Sequence, residues 1–171
     1  MMRSKTSTPT PLKKILAIDP GFDRVGIAVL VEEKNLPRLI FSECFKTNKK
    51  GSRAERLLSI GKKIKKVIQK WHPTEIALET LFFNTNTTSA IGVAEARGVI
   101  LYEGEGAGLK IFEYGPQTVK VAVTGYGGAD KAQVALMARK LLKINTGSKK
   151  LDDETDAMAL GITHLATKKR I

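Results

Sequence analysis

At 171 residues the chain has the length of one domain, long enough to bury a substantial core. Its 29 lysines and arginines against 17 acids give a formal charge of +12, which favours a polyanionic partner, either nucleic acid or an anionic membrane surface. No run of about 18 uninterrupted apolar residues exists, which argues against a membrane span, and the single cysteine, Cys44, excludes an intrachain disulfide or a cysteine-based zinc cluster.

Met1–Lys14 is basic and free of acids, and it lacks the apolar stretch of a secretory signal. It reads as a disordered extension ahead of one domain over residues 15–171. Ile15–Ile18 is an apolar run stopping at Asp-Pro-Gly, a strand followed by a turn. Val25–Val31 and Arg38–Phe45 are two further strands, spaced closely enough for an antiparallel meander. The apolar neighbours of Cys44 predict a buried strand position, and one free thiol fits a reducing cytoplasm. Lys46–Arg53 (KTNKKGSR) is a basic loop expected to be exposed. Leu57, Ile60, Ile64, Val67, Ile68 and Trp71 then recur at helical spacing, with Trp71 as the anchor, and His72-Pro73 ends the helix.

Glu75–Glu79 is the fourth strand, and the polar segment Asn84–Thr88 follows. A helix from about Ser89 to Tyr102 carries small residues, Ala90, Ala94 and Gly98, that suit close packing. Leu109–Tyr114 is the fifth strand. Pro116–Val123 and Lys131–Leu142 are helical, separated by Gly125-Tyr126-Gly127-Gly128, and Asp130 and Gln133 stand at the spacing of a helix N-cap pair. The last helix runs from about Asp152 to Ala166. The order β-β-β-α-β-α-β-α-α-α predicts an α/β domain: a five-stranded mixed sheet, antiparallel meander plus parallel strands, flanked by helices. That is the element order of the ribonuclease H-like fold.

Four acids stand out in so basic a protein. Asp19 ends the first strand and Glu79 the fourth, and in a sheet of this order those strands are neighbours. Asp153 and Asp156 are three apart on the last helix and share a face, although Asp152 and Asp156 do so equally well. Converging carboxylates repel unless cations fill the site. Magnesium prefers hard oxygen ligands, and two such ions about 4 Å apart suit phosphodiester hydrolysis without a covalent intermediate. Each acid also has a plain structural role open to it: Asp19 as a turn residue, Asp152 to Glu154 as acids at a helix N-terminus, Glu79 as an exposed strand end.

The wording of the sequence goes further than the spacing. ILAIDPGFDRVGIAVL resembles the opening strand and turn of RuvC resolvases, and ALETLFFNTNTTSAIGVAEARGVIL resembles their second acidic segment. EYGPQTVKVAVTGYGGADKAQVALM resembles their DNA-facing loop and helix, and DDETDAMALGITH their closing Asp-x-x-Asp-Ala helix. The four matches keep one order over about residues 15–166. The resemblance implies a ribonuclease H-like fold and a crossover junction endodeoxyribonuclease. It implies a homodimer that nicks a four-way DNA junction symmetrically with magnesium, manganese being the substitute. It implies Asp19, Glu79, Asp153 and Asp156 as metal ligands, selecting Asp153 over Asp152. Lys120 and Lys131 match lysines that face DNA beside the scissile phosphate, and Phe82 matches an aromatic that stacks on unpaired bases, while Phe83 is expected in the core. A branch-migration helicase of the RuvAB kind is the partner the family implies.

Other residues stay open at this level. Arg97 suits phosphate binding or burial beside its helix, and Tyr126 suits a DNA contact or a turn. His72 is expected exposed, and His164 lies two turns past Asp156, about 12 Å along the axis, too far to share the metals. Three rival readings exist. A YqgF-like nuclease acting on structured RNA would share the acids. A nucleotide phosphotransferase would need two domains around its ligand. A non-catalytic junction-binding protein would leave the acids without a reason to converge.

Overall fold

A computed structural model describes residues 12–81, 87–144 and 152–167, the side chains of residues 87–89 excepted. Phe82 and Phe83 lie outside the described residues, as does nearly all of the basic extension. The strands are β1 (Lys14–Asp19), β2 (Arg24–Glu33), β3 (Leu36–Lys46), β4 (Glu75–Glu79) and β5 (Lys110–Tyr114), in the order β3-β2-β1-β4-β5. β1, β2 and β3 pair antiparallel, while β1 pairs parallel with β4, and β4 with β5. This is the expected five-stranded mixed sheet.

Helices cover both faces, so the central strands are apolar at successive positions rather than at alternate ones. Alternate side chains of a strand go to opposite faces. Leu16 and Ile18 of β1 meet Ile60, Ile64 and Val67 of α1 (Arg53–Trp71), with Ala96 and Ile100 of α2 (Thr87–Gly106). Ile15 and Ala17 meet the other layer: α3 (Pro116–Thr124), α4 (Lys131–Leu141) and α5 (Asp152–Thr167). α5 lies across β1 and β2 and is buried almost throughout, which explains why its sequence carries so little polar surface after Asp156.

Capping sets the helix starts. Ser52 accepts the Glu55 N–H, and the Glu55 carboxylate accepts the Ser52 N–H at 2.7 Å. This reciprocal pair starts α1 a turn before the apolar periodicity does, at Arg53. Asp130 and Gln133 cap α4 in the same way, as their spacing predicts. The Trp71 ring packs 5.5 Å from that of Phe41, an anchor as expected, and exposed His72 closes α1 in the left-handed region at φ 49°.

Two expectations change. The basic loop is shorter and less exposed than its composition suggests: β3 continues to Lys46, which pairs with Arg24, and Thr47 is buried because its hydroxyl donates to the Phe22 carbonyl at 2.9 Å. Cys44 is half-exposed rather than buried, because β3 is an edge strand.

His164 is fully buried, its Nδ1 2.8 Å from the Tyr114 hydroxyl and its Nε2 2.7 Å from Glu75 Oε2. Lys13 pairs with the other Glu75 oxygen at 2.6 Å. His164 thus joins α5 to β4 and β5, a structural role away from the acids.

Candidate active site

The parallel pairing of β1 with β4 sets Ile18 beside Leu78, so Asp19 and Glu79 leave adjacent strands side by side. Asp153 and Asp156, on the first turns of α5, come over the same sheet end. All four acids line one cleft of about 440 Å³ together with Lys120 of α3 and Lys131 of α4. Asp152 is exposed and does not line it, so the placement of the helix separates two residues that spacing could not.

The electrostatics follow from crowding. Burial, then the charges of Glu79, Asp156 and Asp153, push the Asp19 carboxyl up to about 8, and the protonated acid donates a hydrogen bond to Glu79. Burial also raises Glu79, with Asp156 adding to the effect while the Asp19 hydrogen bond opposes it. Asp156 is raised by burial against the pull of Lys131, whose ammonium sits 2.8 Å from Asp156 Oδ2. That bond in turn raises Lys131 above the ordinary lysine value.

Asp153 has two partners that sequence reasoning missed. The Arg24 guanidinium meets its Oδ2 at 3.0 Å, and the Cys44 thiol donates to the same oxygen over 3.5 Å. Burial and the Asp153 charge hold the Cys44 thiol above its usual value. No local pattern announces these contacts, because Cys44 and Asp153 are 109 residues apart in sequence. Gly26 makes the approach possible: a Cβ there would come 1.9 Å from the Asp153 carbonyl oxygen, so β2 admits the start of α5 only without a side chain.

Among the described residues no three acid, imidazole or thiol groups stand in a ready-made metal cage. The charge is balanced by the proton on Asp19, by Lys131 and by Arg24. The donors are nevertheless hard carboxylate oxygens facing one cleft, one of them too crowded to ionise unaided. That set fits a hard divalent cation, which would replace the shared proton.

The flanking residues divide. Lys120 is half-buried and faces the cleft. Tyr126 is 67% exposed in the loop between α3 and α4, which turns at Gly125 with φ 77°. The Arg97 side chain is only 12% exposed and pairs with Glu113 of β5 at 2.6 Å, the buried one of the two positions its sequence left open.

A mixed five-stranded sheet with acids converged at the ends of two adjacent parallel strands defines a nuclease of the ribonuclease H-like class. The comparisons with known proteins narrow it. Residues 15–164 match the family model described as Crossover junction endodeoxyribonuclease RuvC. The enzyme of that name from Halothermothrix orenii is 44% identical over 150 residues, covering 88% of this chain and 90% of its own. That from Roseiflexus is 39% identical over 151 residues, covering 88% and 89%. In three dimensions the chain resembles Thermus thermophilus RuvC in complex with a Holliday junction substrate, with a TM-score of 0.85 and 31% identity over 92% of this chain and 95% of that one. The yeast mitochondrial Holliday junction resolvase Ydc2 shares the fold, with a TM-score of 0.67 at 14% identity, covering 95% of this chain and 82% of its own. The chain belongs to the RuvC family of crossover junction endodeoxyribonucleases.

Proposed function

We propose that this chain resolves Holliday junctions, hydrolysing one phosphodiester in each of two symmetric strands, with Asp19, Glu79, Asp153 and Asp156 holding two magnesium ions. The observation that carries this reading is the meeting of four carboxylates and two lysines in one cleft of a basic protein. Bound magnesium would supply Lewis acidity and lower the pKa of a coordinated water. The protein's own groups do the rest. Arg24 and Lys131 each hold one oxygen of Asp153 and Asp156, keeping both carboxylates in one orientation. Lys120 and the exposed part of Lys131 face a phosphate entering the cleft and neutralise its charge.

In this reading Phe82, three residues past Glu79, stacks on an unpaired base at the junction centre, and Tyr126 contacts a strand from the loop between α3 and α4. Two symmetric nicks require two sites related by a two-fold axis, and a C2 homodimer meets that need. α2 is the proposed interface: Ile91 and Tyr102 are 55% and 77% exposed on it, and Gly98 leaves open space. A RuvAB-like helicase complex would deliver the junction, in the cytoplasm.

The test uses a labelled four-way junction able to branch-migrate, a linear duplex and a structured RNA, each with magnesium or EDTA. Paired magnesium-dependent nicks in the junction alone, absent for Asp19→Asn, are the expected result. Cutting of the RNA instead would transfer the site to RNA. Binding without cutting in any divalent metal would sink the nuclease reading for this chain.

A further inference from the structure

We infer that the end of β3 and the loop from it to α1, with Lys46, Lys49 and Lys50 at the surface, form a second DNA-backbone contact, receiving the duplex arm that leaves the cleft on the side away from α3 and α4. The inference rests on the junction reading above and adds a surface to it. The lysines and tyrosine proposed for DNA, Lys120, Lys131 and Tyr126, all belong to α3, α4 and their connection. They account for one flank of the cleft only.

The other flank is located by a short chain of contacts. Arg24 holds Asp153 at 3.0 Å, and Lys46 is the residue paired with Arg24 across β2 and β3. Paired residues in an antiparallel ladder stand about 5 Å apart at Cα, so Lys46 begins at the rim of the cleft. Lys46, Lys49 and Lys50 are all exposed, and the Lys49 side chain is 80% so. Lys49 reaches Asp23 only at 3.9 Å, and Asp23 is already engaged by the Arg56 guanidinium. The flank therefore keeps a net positive charge aimed at solvent.

The backbone there is also held. The Thr47 N–H donates to the Asp23 carbonyl at 3.0 Å and its hydroxyl to the Phe22 carbonyl at 2.9 Å. Arg56 donates to the Thr47 hydroxyl and to the Phe22 carbonyl, with its guanidinium 3.9 Å from the centre of the Phe22 ring. The Lys50 N–H donates to the Asn48 side chain, and the Gly51 N–H to the Asn48 carbonyl, both at 3.0 Å. The loop is thus tied to the turn that follows Asp19. Lysines on a fixed backbone beside the reacting centre set where a duplex lies, whereas lysines on a loose tail add only charge.

The experiment measures junction binding in EDTA, where cutting is suppressed, against salt concentration. It compares wild type, a flank variant carrying Lys46→Ala, Lys49→Ala and Lys50→Ala, and a control carrying Lys62→Ala, Lys65→Ala and Lys66→Ala. The control loses the same charge from the exposed face of α1, and circular dichroism melts verify that both variants fold. Each phosphate contact contributes about 0.9 to the slope of log affinity on log salt, so the flank variant should lose about 2 to 3 from that slope. Its deficit against wild type should shrink roughly 40-fold between about 50 and 200 mM salt, while the control stays near wild type. Equal losses in the two variants, or none in the flank variant, would overturn the inference. A wild type that binds the junction no better than a linear duplex would instead overturn the junction reading, and the arm contact with it.

Discussion

Replacing Asp19 by Asn should abolish cutting and yet make the metal-free protein more stable at alkaline pH. Burial and three neighbouring acids move the Asp19 carboxyl from 3.8 to about 8, so between those values the folded protein holds a proton that the unfolded chain releases. Stability therefore falls as pH rises from about 4, and the loss is complete above about 8. At about 1.4 kcal/mol per pH unit the ceiling is near 6 kcal/mol. Water reaches the cleft and Glu79 shares the proton, so a figure of about 2–4 kcal/mol is the working expectation. Asn keeps the shape of the protonated acid and carries no charge. The assay is urea unfolding of both proteins in EDTA from about pH 5 to 9. The Asn variant should gain on wild type progressively toward pH 8, and magnesium should restore the wild type more than the variant. A constant difference across that range, or an Asn variant less stable at pH 8, would refute the electrostatic account.

Two further outcomes follow from the same geometry. Lys131→Ala removes the 2.8 Å bond that orients Asp156 and leaves that acid more reluctant to ionise, so single-turnover junction cutting should drop about 10²-fold with folding retained. Gly26→Ala places a methyl group against the Asp153 carbonyl and must push α5 from β2. A loss of about 2–4 kcal/mol in urea unfolding is expected, with cutting lost in the soluble fraction.

The sequence by itself determined what short-range physics encodes. Apolar runs and helical periods place five strands and five helices in the observed order, and the Asp130–Gln133 spacing marks a helix start that the hydrogen bonds then show. Asp19 and Glu79 could be read as strand ends because the chain turns sharply just beyond Asp19 and becomes polar soon after Glu79. The family wording of four segments is itself enough to mark the nuclease class.

Tertiary structure alone decided which charges meet. Arg24 reaches Asp153, the Cys44 thiol points at the same carboxylate, and Arg97, open to either role in sequence, is spent on Glu113. His164 turned out to be a buried bridge between Tyr114 and Glu75. Asp152 and Asp153 could not be told apart by spacing, and were separated by how α5 crosses β2 over Gly26. The physical reason is common to all of these. Periodicity and capping act over a few residues, but a pairing between side chains 50 or 109 positions apart exists only once the sheet order has brought them together.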